Sequence, residues 1–205
     1  MITTGCAVLL LGGGSQALAA GGGAAARGSG SANASSGGAG ISGPAHPRTR
    51  STKSHPTVPG TRAKIIHGIA YAPAAAPIQV QRAIWAGNKI RTKPYIYGGG
   101  HGSFNDSGYD CSGSVSYVLH GAGLLSTPMD SSEFMSWDKG GQGHWMTVYT
   151  SPAHAFIVIA GIVFDTSHYA STTPGGSGPR WQPESMVRSQ LSDGNSYAAR
   201  HPAGY

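Results

Sequence analysis

Residues 93–113 read KPYIYGGGHGSFNDSGYDCSG, a stretch that contains, near its end, a cysteine flanked by polar side chains. Aromatic residues precede a glycine run, and a polar loop separates that run from the cysteine. After Cys111, apolar residues recur at spacings of three and four, which predicts a helix with one buried face. Gly121 and Gly123 permit left-handed backbone and are expected at the far end of this helix. Cys111 is therefore predicted at or near a helix N-terminus.

This position of Cys111 favours a reactive thiol. The first N–H groups of a helix have no intrahelical acceptor, and the helix dipole places positive potential at the same end. Both effects favour the thiolate over the thiol, and the same amides can hold the oxyanion that forms when a carbonyl is attacked. A lone cysteine is more commonly an inert core residue. The local sequence reverses that expectation here.

The same block resembles the catalytic block of the NlpC/P60 cysteine peptidases. Pro94-Tyr95, Tyr97 and Gly98-Gly99 are followed by Asp110-Cys111-Ser112-Gly113, in the order of the family's pattern. The resemblance covers about residues 78–167, and the polar loop is a few residues longer than in the family. It implies a papain-like α+β domain, with helices packed on an antiparallel β-sheet, and it implies that Cys111 is the nucleophile.

Three further residues of the block are implied to bind substrate. Tyr95 resembles a tyrosine that lies near the nucleophile and contacts substrate or the oxyanion, although it is equally well read as a half-buried aromatic. Asp110 and Ser112 resemble residues suited to hold the amino group of a substrate peptide. Either of these two could instead cap the helix.

A second candidate catalytic residue is His154, which precedes two apolar segments joined by Gly161. Such segments on either side of a glycine predict two β-strands and a tight turn. A polar residue at the start of a buried strand needs a partner. The resemblance implies that His154 is the base that works with Cys111. The alternative is a structural histidine with a satisfied hydrogen bond.

Hairpin geometry indicates a third residue of the site. The start of the first strand faces the end of the second in an antiparallel pair, which places Asp165 opposite His154. A carboxylate at this place would orient the imidazole and stabilise its charged form. Family members often have a histidine a little further along, and Thr166 and His168 are the alternatives in this chain. Asp165 could also be a turn or strand-end cap.

The flanking segments complete the predicted domain. Residues 78–90 have the apolar spacing of a helix. Strands are expected at 145–149 and near 197–200, and a loop is expected at 175–179. Trp181 is expected to pack in the domain and not to bind a ligand.

Composition divides the 205 residues into three parts. Residues 1–19 contain a short apolar run and end in Ala-Leu-Ala, which is typical of a signal peptide, although no positive charge precedes the run. Cys6 would be removed with it. Residues 20–63 are rich in Gly, Ala, Ser and Pro, which predicts a disordered tether. Residues 64–205 are long enough for one core and form the predicted catalytic domain.

Charge and motif content limit the expected partners. Much of the formal net charge of +6 lies in and beside the tether, which favours contact with acidic cell-wall polymers or a solubilising role. The folded part has no basic stripe interleaved with aromatic residues, so nucleic acid is not expected. The apolar N-terminal run is too short to span a membrane. Metal-ligand spacings and phosphate-binding motifs are absent from the sequence, so no metal and no cofactor are expected.

These observations predict a secreted or cell-wall cysteine peptidase. The resemblance implies peptidoglycan stem peptides as substrate, commonly at the bond between D-glutamate and the diamino acid. Two other classes remain open. The same Cys/His site suits an amidase or acyltransferase, and the fold also suits a catalytically inactive wall-binding protein. Thiol reactivity separates active from inactive forms, and product analysis separates hydrolysis from transfer.

Overall fold

The structure is a computed structural model that describes residues 55–167 and 178–205. In chain order its elements are β1 (Thr57–Val58), β2 (Lys64–Ile66), β3 (Ile69–Pro73), α1 (Ile78–Ile90), α2 (Cys111–Gly121), α3 (Ser131–Phe134), β4 (Lys139–Gly140), β5 (Met146–Thr150), β6 (Ala155–Ile159), β7 (Ile162–Asp165), β8 (Arg180–Pro183), α4 (Met186–Gln190) and β9 (Ala198–His201).

Six of the strands form one sheet in the order β4-β9-β5-β6-β7-β8, and every neighbouring pair is antiparallel. Helix α2 packs on α1 and on strands β6 and β7. The predicted α+β class, with helices packed on an antiparallel sheet, is confirmed.

The predicted hairpin is present as β6 and β7. Its turn consists of Ala160 and Gly161, which both have positive φ angles, 47° and 84°. Ile157 pairs with Phe164 across the hairpin, and both side chains are fully buried. This register places the start of β6 near the end of β7.

Helix α2 is held in place by the apolar face that the sequence indicates. Val115, Val118 and Leu119 are fully buried in the main core. A Cβ at Gly121 would lie 2.4 Å from the Cβ of Ala86, so the last turn of α2 lies directly against α1. The beginning of α2, which carries Cys111, is fixed by the same packing.

Residues 55–63 are part of the folded unit. β1 pairs in parallel with β3, and β2 pairs with β3 on its other side. The His55 ring stacks on Trp85 at 4.3 Å. The Ala63 N–H donates to the Ala160 carbonyl at 2.9 Å. The predicted tether, 20–63, therefore overlaps the fold at its last nine positions, because strand pairing uses backbone groups and needs few apolar side chains.

Other predicted elements have the following outcomes. The first helix has the predicted bounds, and the strands expected at 145–149 and near 197–200 are β5 and β9. Trp181 is 6% exposed and packs on Phe164, as expected. The predicted signal peptide, the tether up to residue 54 and most of the loop at 175–179 lie outside the described residues. In the described part of the chain, no helix has the length and apolarity needed to cross a membrane.

Candidate active site

Cys111 is the first residue of α2 and is 9% exposed. Asp110 is the N-cap, and its Oδ1 accepts from the Gly113 N–H at 2.7 Å. Gly113 is required because a Cβ there would lie 2.0 Å from the Gly99 carbonyl oxygen. The glycine run thus packs directly on the first turn of α2. The Cys111 N–H remains without an intrahelical acceptor, and the positive end of the helix dipole lies at the thiol.

His154 and Asp165 meet at the open end of the hairpin. His154 directly precedes β6 and Asp165 ends β7, and the distance from Nε2 to Oδ1 is 2.8 Å. Asp165 is fully buried. Since Nε2 is hydrogen-bonded to the carboxylate, Nδ1 is the ring nitrogen that remains to exchange a proton with a thiol.

The environment of His154 favours its charged form. Burial alone lowers the pKa of the ring, but hydrogen bonds with Asp165 and then Cys111 outweigh burial and raise the pKa to about 10. The Cys111 side chain thus lies close enough to His154 to stabilise the charge on its ring. An imidazolium beside a sulfur atom favours the thiolate. The site therefore joins a cysteine at a helix N-terminus, a histidine beside it and a carboxylate that orients the histidine.

Asp165 is itself held by donors from several elements. Besides His154, its carboxylate accepts from the Thr166 N–H at 2.7 Å. Short hydrogen bonds also join it to the Ser167 hydroxyl and to the Gln190 side-chain amide. Thr166, an alternative third residue, thus contacts Asp165 through its backbone. His168, the other alternative, lies outside the described residues.

Gln190 was not identified from the sequence. It ends α4, is 1% exposed, and reaches the Asp165 carboxylate from 25 residues further along the chain. The short helix α4 offers no periodic pattern long enough to mark it. A buried carboxylate needs several hydrogen-bond donors, and this general requirement is the signal that a donor such as Gln190 lies nearby.

A cleft of about 320 Å³ opens at Cys111. The predicted substrate-binding residues Tyr95, Asp110 and Ser112 all line it. Burial, and then the nearby Cys111 and Asp110, raise the pKa of Tyr95, which keeps its hydroxyl protonated as a donor. The sequence-predicted residues therefore come together around the thiol.

His101 lines the same cleft, although the sequence placed it only in the polar loop. Its Nε2 lies 3.0 Å from Asp110 Oδ1 and 3.2 Å from the Ser112 hydroxyl. The unusual length of the loop was the sequence feature that pointed to a difference from the family at this place.

A larger cleft, of about 410 Å³, is lined by Arg62, Trp145, Tyr149 and Glu184 among others. Cys111 does not line it. Size alone therefore does not locate the chemistry, and the smaller cleft is the candidate active site.

Comparison with known proteins gives matches among solved structures. No family model matches this chain. No curated protein matches its sequence. The chain is similar to the peptidoglycan hydrolase RipB from Mycobacterium tuberculosis, with 19% identity and a TM-score of 0.44, over 62% of this chain and 66% of that one. It is also similar to the NlpC/p60 domain of the peptidoglycan hydrolase SagA, with 19% identity and a TM-score of 0.40, over 60% of this chain and 98% of that one.

The match spans just under two thirds of the RipB chain.

Proposed function

We propose that this chain is a cysteine peptidase of the NlpC/P60 type that hydrolyses peptidoglycan stem peptides outside the cell membrane. The observation that carries the proposal is the arrangement of Cys111, His154 and Asp165. The nucleophile begins a helix, the base lies beside it, and a buried carboxylate orients the base. The sequence motif supplies the substrate class.

The first half-reaction forms a thioester. In the starting pair the proton is on His154 Nδ1, and the Cys111 thiolate attacks the carbonyl carbon of the scissile peptide bond. The oxyanion accepts a hydrogen bond from the Cys111 N–H. The Tyr95 hydroxyl, which lines the same cleft, is the side-chain donor for a second hydrogen bond. The imidazolium then protonates the departing amine as the carbon–nitrogen bond breaks. Asp165 holds the ring in place while its charge changes.

The second half-reaction releases the acid. A water molecule gives a proton to the neutral His154 ring and attacks the thioester carbonyl. The carbon–sulfur bond breaks, and the thiolate leaves beside the recharged imidazolium. The acyl product departs as a carboxylic acid, and the starting pair is restored.

Substrate and location complete the proposal. The scissile bond is the one between D-glutamate and the diamino acid of the stem peptide. Residues 1–19 direct export, and the basic residues in and beside 20–63 keep the enzyme near acidic wall polymers. Exported in this way, the enzyme acts as a secreted or wall-associated protein.

The test uses the full chain and its Cys111→Ala variant with purified peptidoglycan peptides. Mass spectrometry should show two new fragments with the wild type, whose summed mass exceeds the substrate by one water, and none with the variant. In the presence of an added amine, an acyltransferase would instead give the amide of that amine.

An inactive wall-binding protein would leave every peptide intact. Folding by circular dichroism and alkylation of Cys111 by iodoacetamide, mapped on the peptide that contains it, serve as controls. A folded protein with an alkylatable Cys111 and no product would reject the peptidase proposal.

A further inference from the structure

We propose that His101 occupies the position in the cleft where a substrate ammonium group would otherwise bind, so that the enzyme takes peptides with an acylated amino terminus. This inference rests on the proposed function, because it concerns the substrate of the same site. It changes the expectation that Asp110 and Ser112 hold a free amino group.

The hydrogen bonds of Asp110 are the first part of the argument. Its Oδ1 accepts from the Gly113 N–H at 2.7 Å and lies 3.0 Å from His101 Nε2. Its Oδ2 accepts from the Gly98 N–H at 3.0 Å. The residue is only 6% exposed. The carboxylate is thus engaged on both oxygens by groups of the protein.

The position of the ring nitrogen is the second part. His101 Nε2 is 3.2 Å from the Ser112 hydroxyl as well as 3.0 Å from the Asp110 carboxylate. These are the distances at which an ammonium nitrogen would contact the same two oxygen atoms. A protein nitrogen therefore stands where the substrate nitrogen would have to be.

The loop holds His101 in this place. The Gly100 N–H donates to Asp106 at 2.9 Å, and the Asp106 N–H donates to the Tyr109 hydroxyl at 3.1 Å. The Tyr109 hydroxyl donates in turn to the Phe104 carbonyl at 2.8 Å, and Tyr109 is 2% exposed. A Cβ at Gly100 would lie 2.8 Å from the Tyr109 ring. The backbone beside His101 is braced against a buried side chain.

The consequence is that the enzyme discriminates between substrate peptides by the charge of their amino terminus. A free ammonium group at this position gives up water without gaining the Asp110 carboxylate, which is already paired. An acylated terminus carries a neutral amide and needs no counter-charge. The partly exposed His101 ring, at 27%, then forms a wall of the cleft beside the acyl group.

The test compares two stem peptides that are identical except for a free or an acetylated amino terminus. The wild type should have a kcat/KM at least about tenfold higher for the acetylated peptide. In His101→Ala the vacated position accepts an ammonium group, and the free peptide should gain at least about tenfold relative to the acetylated one. His101→Gln keeps a nitrogen donor and should retain the wild-type preference. His144 lines the larger cleft and not the one at Cys111, so His144→Ala should match the wild type.

A wild type that prefers the free amino terminus would overturn the inference, as would an unchanged ratio in a folded His101→Ala. Calorimetric binding of both peptides to the Cys111→Ala chain measures the preference without cleavage. If the wild type cuts neither peptide, the proposed function fails, and the ratio of the two affinities still decides the role of His101.

Discussion

Replacing Asp165 by asparagine removes the negative charge that holds His154 in its charged form and keeps the size of the side chain. The asparagine amide still fits among the neighbours of the carboxylate, which include Gln190 and the Thr166 N–H. The main change is therefore electrostatic. The variant tests whether Asp165 acts through the imidazole.

The expected effect of Asp165→Asn on the rate is worked out from the pKa of His154. Against burial, its partners raise this pKa from 6.5 to about 10. Hydrogen bonds to charged groups contribute about 1.5–3 kcal/mol each, so the variant should lower the pKa of His154 by about 1 to 2. The same energy lost from the transition state slows catalysis by about 10- to 150-fold.

The sign of the pH effect is fixed by the direction of the change. Because folding raises the pKa of His154, its ion pair stabilises the protein fully below pH 6.5, and this contribution is lost as the pH rises through about 10. Activity should fall over the same basic range as the imidazolium is lost. In Asp165→Asn this basic limb should lie at lower pH.

The assay is kcat/KM for a stem peptide, measured from mildly acidic to strongly basic pH. Thr166→Val is the matched control, since Thr166 contacts Asp165 through its backbone N–H, and it should keep the wild-type profile. If Asp165→Asn keeps both the rate and the basic limb of the wild type, the proposed role of Asp165 is refuted.

Two further predictions concern stability. Gln190→Leu removes a donor from the buried Asp165 carboxylate and should lower the free energy of unfolding in urea by about 1–3 kcal/mol. The exposed neighbour Ser189→Ala should change it by less than about 0.5 kcal/mol, and an equally small effect of Gln190→Leu would contradict the proposed support of Asp165. A chain that begins at residue 64 lacks β1 and the His55–Trp85 stack, so it should melt at least about 2 °C below a chain that begins at residue 51. Equal melting temperatures by circular dichroism would favour the boundary predicted at residue 64.

The elements predicted correctly from the sequence are those with a local signal. Helix α1 follows from apolar spacing within a single element. The β6–β7 hairpin follows from two apolar segments around Gly161, whose φ of 84° suits a residue without a side chain. The two-strand pattern predicted that Asp165 lies near His154; in the observed register Ile157 pairs with Phe164, so the two side chains meet diagonally across the hairpin.

The missed features depend on tertiary packing. Gln190 and His101 meet their carboxylate partners across 25 and 9 residues, through a short helix and a loop. Neither stretch has a period or a motif that would reveal the contact. Residues 55–63 look like a tether because their composition is poor in apolar residues, but their backbone hydrogen bonds attach them to the fold.

The nucleophile and its base belong to different layers of the domain. Cys111 comes from α2, and His154 and Asp165 come from the sheet, so sulfur and imidazole meet after the helix docks. The sulfur therefore becomes reactive only when the domain folds, and a single domain folds cooperatively. The rate at which an alkylating reagent modifies Cys111 therefore measures the fraction of molecules in which α2 is packed on the sheet. A chain exported before it folds would cross the membrane in a latent form and become chemically competent at its destination.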